Sequence, residues 1–163
     1  MSAGSASGNF VKDYEFILYG MIVRHFLGYT VTMEIEHRQK SNPWELKTPP
    51  GTGDYKMYVE GDLLVCQVGS TKLTYLVRCI EDSVAWLREQ GDWVELGSAD
   101  EQKEAKAGTF EAWGRSESNP VGGWYGQRKG YRGRFGMYVP PLLEALGLVE
   151  LEHNPRNNRV RAK

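Results

Sequence analysis

The apolar positions of this chain change period several times, and each change marks an element. From Phe10 to Leu27 the residues Phe10, Tyr14, Ile17, Leu18, Met21 and Ile22 recur at three- and four-residue steps. That spacing predicts a helix with one apolar stripe, Asn9 as its N-cap and Gly28 as its C-cap. Tyr29, Val31, Met33 and Ile35 then alternate with Thr30, Thr32, Glu34 and Glu36, the pattern of a half-buried strand. Ser41-Asn42-Pro43 turns the chain, Trp44–Thr48 reads as a short strand, and Pro49 to Gly53 is a loop by composition. Tyr55–Glu60 alternates again. Leu63–Gly69 and Lys72–Cys79 form a hairpin about Ser70-Thr71, whose inner face is Leu64, Cys66, Val68, Leu73, Tyr75 and Val77.

Asp82 to Gln90 reads as a helix with Val84 and Leu87 inward and Gly91 as its stop. Ser98–Gly108 is charged and poor in large apolar residues, so it reads as a linker and the boundary between two parts. Thr109 can cap a short helix through Trp113, and Ser116–Gly123 is loop. Trp124–Gly136 interleaves Gly, Arg and aromatic residues. Pro140-Pro141 then predicts that a helix starts only near Pro141, because a residue before proline is pushed out of the helical region. That helix carries Leu142, Leu143 and Leu146 and ends at Gly147. Val149–His153 and Arg159–Ala162 flank Asn154-Pro155 as a final hairpin.

These elements predict an α+β fold. An antiparallel sheet of four to five strands carries two packed helices, and a small helix–hairpin unit follows. The implied organisation is a mobile tail over residues 1–9, a body over 10–97, the linker over 98–108 and a basic unit over 109–163. No apolar run approaches the roughly 18 residues that span a bilayer, and the N-terminus lacks a signal-peptide pattern. Cys66 and Cys79 fall about 13 Å out of register in the hairpin, too far for a disulfide. Two unpaired thiols on an apolar face suit a reducing, cytoplasmic setting.

Charge adds a polarity that the apolar pattern does not show. Residues 113–163 hold nine Lys or Arg and four acids, a net of +5, while residues 1–112 carry −6. The basic residues are mostly Arg, and they lie among Trp124, Tyr125, Tyr131, Phe135 and Tyr138. Arginine forks fit phosphate oxygens and aromatic rings stack on bases. Arg128, Lys129, Arg132, Arg134, Arg156, Arg159 and Arg161 are therefore the expected contacts to nucleic acid. The alternative expectation is a protein-interaction or small-ligand module. There the basic third docks on an acidic face of its own chain or of a second copy, and Trp113, Trp124 and Tyr125 line a pocket or interface.

The C-terminal stretch YVPPLLEALGLVELEHNPRNNRVRAK, Tyr138–Lys163, resembles the last helix and wing of MarR-type winged-helix regulators. Leu142–Leu146, Gly147-Leu148-Val149-Glu150, Asn154-Pro155 and the pair Arg159/Arg161 occupy the places of that family's motif. The resemblance implies a helix entering a major groove, with Arg156, Arg159 and Arg161 on a wing that touches phosphate or minor groove. The rest of the chain resembles uncharacterised conserved bacterial proteins.

Catalytic patterns are sparse. Glu34 and Glu36 share a strand face, and Glu45-Leu46-Lys47 follows, which outlines a metal-dependent nuclease as a third expectation. His25, His37 and His153 lack metal-ligand spacing, and no phosphate-loop, dinucleotide or nucleophile-elbow motif is present. The sequence thus predicts a binding protein with no cofactor, no metal and no catalytic residue to name.

Overall fold

The computed structural model describes residues 16–18, 21–26, 29–34, 38–126 and 133–163. The chain divides into two compact units, Met1–Glu36 and His37–Lys163. The expected tail over residues 1–9 lies outside the described residues.

The first unit is a three-stranded antiparallel meander: β1 (Phe16–Leu18), β2 (Met21–Phe26) and β3 (Tyr29–Glu34). The expected helix over Phe10–Leu27 is therefore corrected over its described part. The pairs Leu18↔Met21 and Phe26↔Tyr29 leave two residues between successive strands, Tyr19-Gly20 and Leu27-Gly28. A glycine inside a helix costs about 1 kcal/mol, whereas one at a hairpin turn is favoured. Phe16, Ile17, Ile22, Val23 and Phe26 are strand formers, and Ile17, Ile22 and Met33 share one cross-strand row.

The second unit opens with a four-stranded antiparallel meander, β4 (Trp44–Lys47), β5 (Asp54–Glu60), β6 (Leu63–Val68) and β7 (Thr71–Leu76). The strand Tyr29–Glu34 belongs to the other unit and does not extend this sheet. The hairpin turn falls at Gly69-Ser70, where Gly69 takes φ +58°, one step earlier than the expected Ser70-Thr71. Cys66 consequently pairs with Leu73 and Leu64 with Tyr75. The slip is two residues, so every side chain keeps its expected face. Trp44, Met57, Cys66 and Leu73 form one buried row across all four strands.

Helix α1 (Cys79–Gln90) begins three residues before the expected Asp82 and ends on Gly91 at φ +68°. Then come β8 (Val94–Glu95), α2 (Phe110–Gly114), α3 (Phe135–Ala145), β9 (Val149–Leu151) and β10 (Arg159–Ala162). The last three strands make a second antiparallel sheet in the order β8-β10-β9. Helix α3 packs on β4, β9, α1 and α2, and α1 also packs on β10. The charged segment Ser98–Gly108 lies inside this one compact unit and separates no second one. Among the described residues no helix is long and apolar enough to cross a membrane.

Helix α3 corrects the expected start near Pro141, since it begins six residues earlier and carries Pro140 and Pro141 in its interior. Eight of its residues are buried, among them Phe135, Tyr138, Val139, Leu142 and Leu143. Burial of a mostly apolar helix offsets the roughly 3 kcal/mol that an interior proline costs. Both cysteines are buried and free, and burial pushes both thiols well above their ordinary range, so they are core groups.

Candidate functional site

Most described aromatic residues of the C-terminal third lie in the core. Phe135 is stacked between Phe110, at 5.1 Å and 16°, and Tyr125, at 5.6 Å and 14°. Trp113 stacks on Trp86 at 4.9 Å. Tyr125 is fully buried and its hydroxyl donates to Asp82 at 2.9 Å. Trp113 and Tyr125, expected to line a pocket or interface, are thus core residues. Trp124 is half-buried and packs edge-on against Tyr75.

Beside this cluster sits a buried polar node. Glu111 is 0% exposed. One of its oxygens accepts the Gly136 N–H at 2.6 Å, at the first turn of α3. The other accepts two Arg115 donors, at 2.7 and 3.0 Å. Arg134, the N-cap of α3, gives no side-chain cap, so the Glu111 carboxylate caps that helix from a neighbouring element. Burial pushes the Glu111 carboxyl up, against the Gly136 N–H and Arg115, which pull it down. Arg115 also donates to the carbonyls of Ala99, Asp100 and Lys103. One guanidinium thus ties the segment after β8 to α2. Gly136 must be glycine here, because a Cβ would collide with the Leu96 carbonyl.

The expected anion contacts fare unequally. Arg128, Lys129 and Arg132 lie outside the described residues. Arg134 takes φ +65° and pairs with Asp100 at 2.5 Å. Arg159 pairs with Glu152 at 2.6 Å and Arg161 with Glu150 at 2.7 Å, and both guanidiniums lie over the Trp93 ring. Arg156 is exposed and has no ion partner among the described residues. His153, beside it, bridges the Pro49 carbonyl and Glu144.

Two of the clefts among the described residues of this unit bear on the expected sites. The larger, about 800 Å³, covers β4 and β5. There Glu45 pairs with Lys56 at 2.9 Å and Lys47 with Asp54 at 2.6 Å. The nuclease triplet is thereby engaged in exposed ion pairs. Glu34 lies in the other unit and Glu36 outside the described residues. Among the described residues no group of three His, Cys, Asp or Glu side chains is placed to hold a metal ion.

The second cleft, about 470 Å³, is built from five separate stretches: Pro49-Pro50, Glu95–Ala99, Glu104 and Lys106, Gly136-Met137, and Arg156–Asn158. Its walls are the segment that Arg115 ties down, the first turn of α3 and the connection between β9 and β10. Lys106 and Glu95 pair with each other at 2.6 Å. Among the described residues, the side chains of Arg156, Glu104, Asn157 and Ser98 have no hydrogen-bond or ion partner. Sequence reasoning named Arg156 alone among these, because the five stretches are far apart in the chain.

Residues 36–163 match the model of a family of unknown function, DUF6855, a span that coincides with the second compact unit. No curated protein and no solved structure matches the chain.

Proposed function

We propose that this chain, which belongs to the DUF6855 family of unknown function, is a binding module that takes a small ligand or short peptide in the cleft between β8, the first turn of α3 and the β9–β10 connection. The observation that carries this reading is the convergence of five chain stretches on polar side chains that no other described residue engages. A cleft of 470 Å³ lies within the roughly 300–1,000 Å³ of ordinary ligand sites. Its rigid first wall is held by the Glu111–Arg115 node, which preorganises the site. The test is a backbone ¹⁵N–¹H shift screen of a fragment library. Hits that move Gly97, Ser98, Met137 and Asn157 together support the reading. Hits that avoid all four contradict it.

A second reading keeps a contact to nucleic acid, and one observation favours it. The order α1, β8, α2, α3, β9, β10, with β10 between β8 and β9, is the element order of a winged helix. That order supports the reading that the resemblance of Tyr138–Lys163 suggested. Two facts weigh on the other side. The helix that would enter a groove, α3, is buried along most of its length. The wing arginines Arg159 and Arg161 face Glu152 and Glu150, which a phosphate would approach at a cost. The cleft reading therefore leads.

A further inference from the structure

One wall of the cleft, Pro49-Pro50, belongs to the turn between β4 and β5, and that turn is closed on itself. The Thr48 N–H donates to the Gly53 carbonyl at 2.8 Å, and the Gly51 N–H donates to the Thr48 carbonyl at 2.7 Å. The Gly53 N–H donates to the Thr48 hydroxyl at 3.0 Å. Among the described residues, one hydrogen bond carries this turn to the C-terminal elements. It joins the Pro49 carbonyl oxygen to His153 Nδ1, 2.9 Å away. The other ring nitrogen, Nε2, lies 3.0 and 3.1 Å from the two carboxylate oxygens of Glu144, on α3. A carbonyl and a carboxylate both accept, so only the doubly protonated imidazolium donates to both. The neutral ring has a single N–H. The carboxylate is the stronger acceptor and keeps it, which leaves the Nδ1 lone pair facing the Pro49 oxygen.

Resting on the cleft as the binding site, we infer that His153 is a protonation latch on its Pro49-Pro50 wall, closed when the ring is cationic and loosened when it is neutral. Glu144 is the charge that faces the ring from α3, and the turn presents the neutral Pro49 carbonyl. On the ring's own β9–β10 connection, Glu152 is engaged by Arg159, and Arg156 stays cationic throughout. At the base of the turn, Lys47 and Asp54 pair with each other. Burial of the ring opposes its charge, but Glu144 and the Pro49 carbonyl favour it, so the folded pKa lies above 6.5. The latch is therefore closed below pH 6.5 and opens as pH rises through the folded value. Pro49 is itself buried, so the neutral ring loosens the turn without freeing it. A closed latch adds a second fixed wall to the one that Glu111 and Arg115 hold, and a preorganised cleft binds more tightly.

The experiment follows the ¹⁵N shifts of the His153 ring and the amide protection factors of Gly51 and Gly53 in the full chain, between about pH 5.5 and pH 8.5. Protection factors divide out the intrinsic pH dependence of exchange. Both ring nitrogens are expected to carry protons on the acid side. Protection of the two amides is expected to fall about twofold as the ring loses one of them, a small change because the His153–Glu144 pair is half-exposed. His153→Gln should hold the lower protection at every pH. Glu144→Gln should move the ring titration to lower pH, and the fall in protection should move with it. Uncharged hits of the fragment screen should bind about twofold more tightly on the acid side in the wild type, and equally on both sides in His153→Gln. A fall in protection that survives in His153→Gln, or wild-type protection that ignores the ring titration, overturns the latch while fragment hits still support the cleft. Equal affinity of those hits on both sides in the wild type overturns the regulation. A turn that titrates with His153 while no fragment moves the cleft amides overturns the binding site, and leaves the latch nothing to regulate.

Discussion

Replacing Arg115 by Met should be the most damaging single polar change in the second unit. Arg115 is 12% exposed and its partner Glu111 0% exposed. The change deletes two donors to Glu111 and three to the carbonyls of Ala99, Asp100 and Lys103. It leaves a buried carboxylate held only by main-chain N–H groups. Breaking a buried pair on one side costs about 3–5 kcal/mol. A domain has about 5–15 kcal/mol in total, so a urea midpoint shift on the order of 2 M is expected. Glu111→Gln keeps an acceptor for Gly136 N–H and should cost less, about 1–3 kcal/mol. The double variant should cost less than the sum of the two, by about 1 kcal/mol or more. The pH dependence carries a further signature. The folded Glu111 pKa lies above its ordinary 4.5, so the folded state holds this proton more tightly than the unfolded one. Its contribution is full below pH 4.5 and is lost as pH rises through the folded value, and Glu111→Gln should remove that slope. Strictly additive costs in the double variant, or a loss under about 1 kcal/mol for Arg115→Met, would refute the role given to this node.

Gly114→Ala should destabilise by about 1–3 kcal/mol in the same urea assay, because the new Cβ collides with the Phe135 ring at the centre of the aromatic cluster. Asn119→Ala should cost about 2 kcal/mol or more and raise amide exchange over residues 116–123. That side chain donates to the Trp113 and Gly123 carbonyls and accepts from the Val121 and Gly123 N–H groups. His153 is partly buried, which alone lowers its pKa, but Glu144 and the Pro49 carbonyl raise it to a net value above 6.5. Its contribution is full below pH 6.5 and is lost as pH rises through the folded value. His153→Gln should flatten that slope, by less than about 0.5 kcal/mol since the pair is half-exposed.

Much of the second unit was legible because local chemistry and tertiary packing agree there. The glycine stop at Gly91, the Thr109 cap and the alternation of Tyr55–Glu60 each fix an element without help from distant residues. Agreement fails where two periods fit the same run. Phe10, Tyr14, Ile17, Leu18, Met21 and Ile22 satisfy helical steps, yet a stretch this apolar also satisfies strands, and Gly20 and Gly28 were the discriminating signal. At Pro140-Pro141 a sound local rule lost to burial, since α3 is enclosed by other elements. Charge misled in another way. Interleaved Arg and aromatic residues suggest a stacking platform, but Phe135 and Tyr125 are fully buried while Arg134, Arg159 and Arg161 meet acids. Those partners, Asp100, Glu152 and Glu150, stand in the same sequence, and the i,i+4 pair Glu111–Arg115 was also readable. The cleft was not readable, because its five stretches span residues 49 to 158.

On the proposed reading, Arg159 and Arg161 are engaged within the molecule and ligand binding falls to the cleft. The most direct test compares the wild type with Arg159→Gln/Arg161→Gln on a mixed-sequence duplex, titrated at low and moderate salt. The account predicts that both proteins show the same affinity and the same salt dependence, since Glu152 and Glu150 already neutralise the two guanidiniums. A tenfold or greater loss of affinity in the double variant, with a salt slope shallower by about two, would contradict it and restore Arg159 and Arg161 as phosphate contacts.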